Sequence, residues 1–284
     1  MQNLSLLRKA ILIMLATSTL LPGAAAYAQS NTTSSSGSVS QGNAPANGHR
    51  QLSMQELWAK NTEDLSTPSI DTSDFAPTDP VTYEKDTYET FTREITRVRW
   101  RLGDPVDLYV MRPVGVKKPP VIIYLYSYPF ETDRFLDKTF CEFLTQNGFA
   151  AVGFATALTG QRYHDRPMKE WFVSELRESL ATSAHDVQLA LNYLATRSDL
   201  NLDTNNVGIF GDGSGASIAI LAAAADSRIK TLDLLDPWGD WPEWMAKSTL
   251  VPEKERPGFV KPDFLAGVAP LDPTKWLPGL RTQK

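Results

Sequence analysis

From residue 92 onward the apolar residues of this chain alternate between two periods. Residues 92–101 and 105–112 are strand-like runs joined by Gly103-Asp104, a strong hairpin signal. Val121-Ile122-Ile123-Tyr124-Leu125-Tyr126 is continuously apolar, of strand length and bounded by prolines, which predicts a fully buried strand. Residues 133–147 carry a helical pattern, with Gly148 placed to stop it. Phe149 to Ala155 reads as a second buried strand. Leu176, Leu180, Ala184, Val187, Leu191 and Leu194 then step by four or three, which is one face of an amphipathic helix. Val207-Gly208-Ile209-Phe210 predicts another buried strand, Ala216 to Ala225 a helix buried nearly all round, and Ile229 to Leu235 a sixth strand. Strand and helix in alternation define an α/β fold. Its sheet is mostly parallel, with crossover helices on both faces, and the antiparallel hairpin leads into it.

The residues before this body have a different character. In residues 1–28, Arg8 and Lys9 precede the apolar stretch Ala10 to Leu21, and Ala26-Tyr27-Ala28 is a small-x-small cleavage site before Gln29. That is the pattern of a secretory signal peptide. The apolar stretch is short for a spanning helix, which needs about 20 residues, so an uncleaved anchor is the weaker reading. The expected location is periplasmic or secreted, with no stable membrane span after cleavage. Residues 29–50, rich in Ser, Asn, Gly, Gln and Thr, predict a flexible tether. Residues 51–90 predict an extended or partly helical lead-in, and residues 91–284 the folded domain.

Charge and cysteine content narrow the function classes. The chain has 28 basic and 33 acidic residues, a net charge of −5, and removing Arg8 and Lys9 makes it more acidic. No basic block remains to bind nucleic acid or an anionic membrane surface. Cys141 is the sole cysteine, so no intrachain disulfide can form. Its apolar helical surroundings mark a buried structural thiol.

Candidate chemistry concentrates around residue 211. A nucleophile elbow is a buried strand that ends in Gly-x-nucleophile-x-Gly and turns sharply into a helix. The nucleophile then stands beside a backbone N–H that can bind an oxyanion. Val207-Gly208-Ile209-Phe210-Gly211-Asp212-Gly213-Ser214-Gly215-Ala216 fits this frame with Gly211 and Gly215 as the framing glycines. The nucleophile position is then Gly213, which has no side chain, and the serine is displaced by one residue to Ser214.

On these residues the chain resembles the α/β-hydrolase superfamily over residues 91–284, especially its prolyl-oligopeptidase-like, acetyl-xylan-esterase-like and dienelactone-hydrolase-like members. The opening hairpin, Ile95-Thr96-Arg97-Val98-Arg99-Trp100 to Asp107-Leu108-Tyr109-Val110, is similar to their first two strands. Tyr126-Ser127-Tyr128-Pro129 stands where they often have His-Gly-Gly or His-Gly-Tyr. The resemblance implies that the backbone N–H groups of Tyr128 and Ser214 form an oxyanion hole. It implies a structural role for Asp186, and acyl chemistry on a small ester or acyl substrate without metal or cofactor. It also implies a catalytic acid after a seventh strand and a histidine after an eighth. Six strands are predicted here, no histidine follows residue 185, and residues 237–284, with Trp238, Trp241, Trp244 and Trp276, read as a lid-like connecting segment. The expectation is a C-terminally truncated sheet.

Each remaining candidate has a structural alternative. Ser214 is either a shifted nucleophile activated by the helix terminus or a helix cap. His49 lies in the tether, His164 in a loop, and His185 on a helix where packing or exposure accounts for it. Asp212 misses the nucleophile position by one residue. Asp233 and Asp236 end the sixth strand near the cleft but lack an imidazole to orient. The tryptophans either line an acyl pocket or pack the connecting segment. Histidine and cysteine are too sparse for a zinc site. Gly211-Asp212-Gly213 is too late in the chain for a dinucleotide fingerprint. Three functions remain: a truncated copy of an exported ester or acyl-peptide hydrolase, a non-catalytic binding or scaffolding pseudohydrolase, and an active hydrolase using Ser214.

Overall fold

Each uninterrupted apolar run becomes a central strand of one mixed sheet. The computed structural model describes residues 63–101, 103–127, 132–158, 162 and 172–280. Its strands are β1 (Thr78–Thr87), β2 (Phe91–Arg101), β3 (Asp104–Pro113), β4 (Pro120–Leu125), β5 (Ala150–Gly153), β6 (Asp203–Asp212) and β7 (Ile229–Leu235), ordered β1-β2-β3-β5-β4-β6-β7. β1, β2 and β3 run antiparallel, β3 is antiparallel to β5, and β5, β4, β6 and β7 are parallel. The helices are α1 (Lys138–Thr145), α2 (Leu176–Thr196), α3 (Ser214–Ala225), α4 (Trp241–Lys247), α5 (Arg256–Phe259), α6 (Pro262–Val268) and α7 (Pro273–Trp276).

The apolar side chains divide between the two sheet faces. On one face α2 and α3 cover Val121, Ile123, Leu125, Val207 and Ile209. On the other, α1 contributes Cys141 and Leu144 to a cluster with Phe91, Ile122, Tyr124 and Phe135. Alternate residues of β4 therefore enter opposite clusters, as a period of two requires. Both faces of β4 are buried, which is why its sequence is apolar throughout.

Three elements depart from the sequence expectation. β1 lies in the segment expected only to lead in. It is an edge strand exposed along most of its length, with Val81 and Tyr83 facing solvent, so it carries no apolar alternation to find. Backbone pairing to β2 makes it a strand. The helix expected over 133–147 is a 3-10 turn, Thr132–Leu136, followed by α1. Asp137 separates them by accepting a hydrogen bond from Phe140 N at 2.7 Å, an N-cap that restarts the helix. The lead-in belongs to the folded body from residue 63 onward, with Phe75 in the core and Leu65 and Ile70 against it. The signal peptide, the tether and residues 51–62 lie outside the described residues.

The described C-terminal residues are short helices seated on the α3 side of the sheet. Trp241 is fully buried there, and its indole N–H donates to Leu271 O at 3.3 Å. Asp272 ties the segment together by accepting from Asp240 N, Trp241 N and Thr274 N at 3.0–3.2 Å. Trp238, Trp241, Met245, Val251, Val268 and Leu271 all join the main core.

Candidate functional site

Strand register brings three chain segments together at one end of the sheet. Leu125 pairs with Gly211, and Gly211 with Leu234, so β4, β6 and β7 finish side by side. The residues following them, Tyr126-Ser127, Gly213-Ser214 and Asp236 to Trp238, therefore meet above the parallel strands. This is the end at which open α/β sheets place their ligand crevices.

The turn from β6 into α3 is sharp, with Gly213 alone between the strand and the helix. Gly213 has φ +54° and ψ −114°, a conformation L side chains seldom adopt, and its N–H donates to Leu235 O at 2.8 Å. The framing glycines are fixed by contact. A Cβ on Gly215 would lie 2.1 Å from Leu125 O, and one on Gly211 would lie 2.5 Å from Ala216 Cα. Helix and strand approach too closely there for any other residue. The tight strand-to-helix turn expected from the glycines is present, with Gly213 between Gly211 and Gly215.

What stands over Gly213 is not legible in the sequence. A Cβ at this position would fall 2.4 Å from Ser127 Oγ, 2.9 Å from Ser127 Cβ and 3.3 Å from Trp238 Nε1. Two neighbouring side chains thus fill the space into which a side chain at position 213 would project. Trp238 is held there by Ser217, whose hydroxyl donates to Trp238 O at 2.6 Å, and by a tilted ring contact with Trp244, centroids 5.0 Å apart. Ser127 lies in the stretch that resembles an oxyanion loop, and only the fold shows its side chain directed at the elbow.

Ser214 is the first helical residue, and Gly213 occupies the N-cap position. Its side chain is completely buried. Tyr128, expected to supply the second oxyanion N–H, lies outside the described residues, as do His49 and His164. His185 is fully buried rather than at the surface. Its ring nitrogens lie against Glu63 Oε1 and Thr67 O, so neither serves the elbow. Asp186 forms buried ion pairs with Arg101 at 2.6 Å and with Arg162, as its structural reading expected.

The carboxylates near the elbow are poorly solvated. Burial pushes the Asp233 carboxyl above its ordinary range, and its Oδ2 has no hydrogen-bond partner among the described residues. Burial also pushes Asp212 up, opposed by Arg134 and reinforced by Asp236. Arg134 lies 4.1 Å over the Tyr126 ring, a cation–π contact. The Tyr126 phenol is pushed up to about 12 by burial, against the opposing pull of Arg134. Among the described residues no cluster of three or more His, Cys, Asp or Glu could hold a metal ion.

This sheet and its strand order define an α/β-hydrolase-like fold. Comparison with solved structures agrees. The chain is similar to acetyl xylan esterase 1 from a Thermoanaerobacterium species, with a TM-score of 0.55 and 12% identity over 82% of each chain. It is similar to an acetyl xylan esterase from a Paenibacillus species, with a TM-score of 0.54 and 15% identity over 81% of this chain and 82% of that one. The acylaminoacyl peptidase of Pyrococcus horikoshii matches at a TM-score of 0.54 and 14% identity, over 69% of this chain and 31% of the peptidase. No protein family description and no curated protein sequence matches the chain.

Proposed function

We propose that this is an exported, non-hydrolytic member of the esterase-like fold, a pseudohydrolase that binds a small ester or acyl ligand, or scaffolds a partner, without cleaving it. The observation that carries this reading is the filled elbow. Gly213 removes the nucleophile, and Ser127 Oγ takes the space its side chain would need. An acyl-enzyme requires an exposed nucleophile within reach of a base. Ser214 is fully buried, and the imidazole of His185 is engaged by the 63–67 segment, so neither of these two serves position 213. Export rests on the three-part pattern of residues 1–28.

The competing reading, ester hydrolysis through Ser214, is favoured by the preserved turn and by its place at the start of α3. A serine-directed fluorophosphonate, followed by intact-mass and peptide analysis of protein from its native source, separates the two. No adduct, together with no turnover of short-chain p-nitrophenyl esters, is the expected result. An adduct on Ser214 or Ser127 would overturn the proposal. The same mass measurement reads the processing site, expected immediately before Gln29.

A further inference from the structure

The strap formed by residues 63–68 lies across α2 and joins the preceding chain to the folded body. It is held by an unusual set of bonds. His185, fully buried on α2, places Nδ1 2.5 Å from Glu63 Oε1 and Nε2 2.8 Å from Thr67 O. Gln188 Nε2 donates to Pro68 O at 2.8 Å, and Arg101 donates to both Glu63 oxygens at 2.5 and 2.6 Å.

The donors and acceptors fix the state of the ring. A backbone carbonyl only accepts, so Nε2 carries a hydrogen. Burial alone would push the Glu63 carboxyl up, but hydrogen bonds from Arg101 and His185 outweigh it and hold the group below its ordinary 4.5. Glu63 is therefore a carboxylate, which also only accepts, and Nδ1 must carry a hydrogen as well. In this arrangement both ring nitrogens of His185 face acceptors. Among the described residues, Glu63, Asp104 and Asp186 are joined through two guanidiniums, Arg101 and Arg162, and the His185 ring lies against Glu63. Other charged groups around the strap are Asp64 on the strap itself, Glu175, Arg177 and Glu178 at the start of α2, and Asp263 on α6.

We propose that His185 is a pH-sensitive clasp: doubly protonated, it pins the 63–68 strap to α2, and losing one proton releases the strap. The inference is independent of whether the elbow has chemistry. Loss of either ring proton turns a lone pair toward an acceptor and leaves the buried cluster with one uncompensated negative charge. Both are strongly unfavourable away from water. The strap is therefore tight on the acid side and loosens as pH rises.

The test uses the full chain labelled with ¹⁵N-histidine, the His185 signal being assigned by its loss in His185→Gln. At about pH 6 both ring nitrogens should report as protonated. Peptide-resolved hydrogen exchange over residues 63–70, corrected for the intrinsic rate, should accelerate at least about tenfold by about pH 9, while β4 and β6 keep their protection. Glu63→Gln, which keeps the side-chain shape, should flatten that pH dependence, and it serves as the readout if His185→Gln does not fold. A ring with one bare nitrogen at about pH 6, pH-independent strap protection in the wild type, or full pH dependence in Glu63→Gln would each overturn the clasp.

Discussion

Gly213→Ser restores a hydroxyl to the nucleophile position and tests the filled elbow directly. Two costs are expected. A side chain at φ +54° and ψ −114° is strained, worth about 1–3 kcal/mol. The new Cβ also overlaps Ser127, whose Oγ lies 2.4 Å and whose Cβ lies 2.9 Å from its ideal position. Overlap of this kind costs about 1–3 kcal/mol, partly relieved if Ser127 rotates. A total of about 3 kcal/mol would lower the Tm by roughly 6–12 °C for a folded body of this size. The overlap is shared between two side chains, so it must appear as coupling. In the background of Ser127→Gly, Gly213→Ser should cost about 1–2 kcal/mol less than in the wild type. The assay is urea unfolding of the wild type, both single variants and the double variant, with thermal scans alongside. Additivity within about 0.3 kcal/mol would refute the claim that Ser127 occupies the nucleophile's space. Neither Gly213→Ser protein should hydrolyse p-nitrophenyl esters, because the added hydroxyl meets no described imidazole.

Gly215→Ala forces a methyl to within 2.1 Å of Leu125 O, a backbone atom that cannot rotate away. It should destabilise by about 3 kcal/mol or more or prevent soluble expression, and a near-native melting curve would contradict the close approach of α3 to β4. Burial pushes the Asp186 and Glu63 carboxyls up, but their arginine partners, with His185 for Glu63, hold both below their ordinary values of 3.8 and 4.5. Their stabilisation is therefore complete above about pH 4.5 and is lost as pH falls through the lower folded-state values. Asp186→Ala should cost about 3–5 kcal/mol at neutral pH by removing the buried carboxylate that joins Arg101 to Arg162, and should flatten the acid limb of a urea-midpoint profile. An unchanged acid limb would show that these pairs do not govern acid stability. Burial pushes the Cys141 thiol up to about 11, and its Sγ–H donates to Phe135 O at 3.1 Å. Ellman's reagent should label it only in denaturant, and rapid labelling of native protein would contradict its burial.

The sequence by itself determined the parts of this protein that depend on local pattern. Both-face burial makes β4 continuously apolar, and steps of three and four define the inner face of α2, so each could be placed from residues alone. The tight turn from β6 into α3 was equally legible, because contact with Leu125 O and Ala216 Cα leaves room for nothing but glycine at Gly215 and Gly211. Tertiary structure decided what depends on partners distant in the chain. β1 is a strand only because β2 lies beside it, and its exposed side chains carry no periodic signal. Ser127 and Trp238 lie 86 and 25 residues from Gly213, and nothing local says that they meet above it. His185 reads as a surface or core residue until the fold sets Glu63, 122 residues away, against its ring. Local sequence carries the backbone's preferences and the burial of each face, whereas the occupancy of a site and the balance of buried charge are fixed only when long loops close.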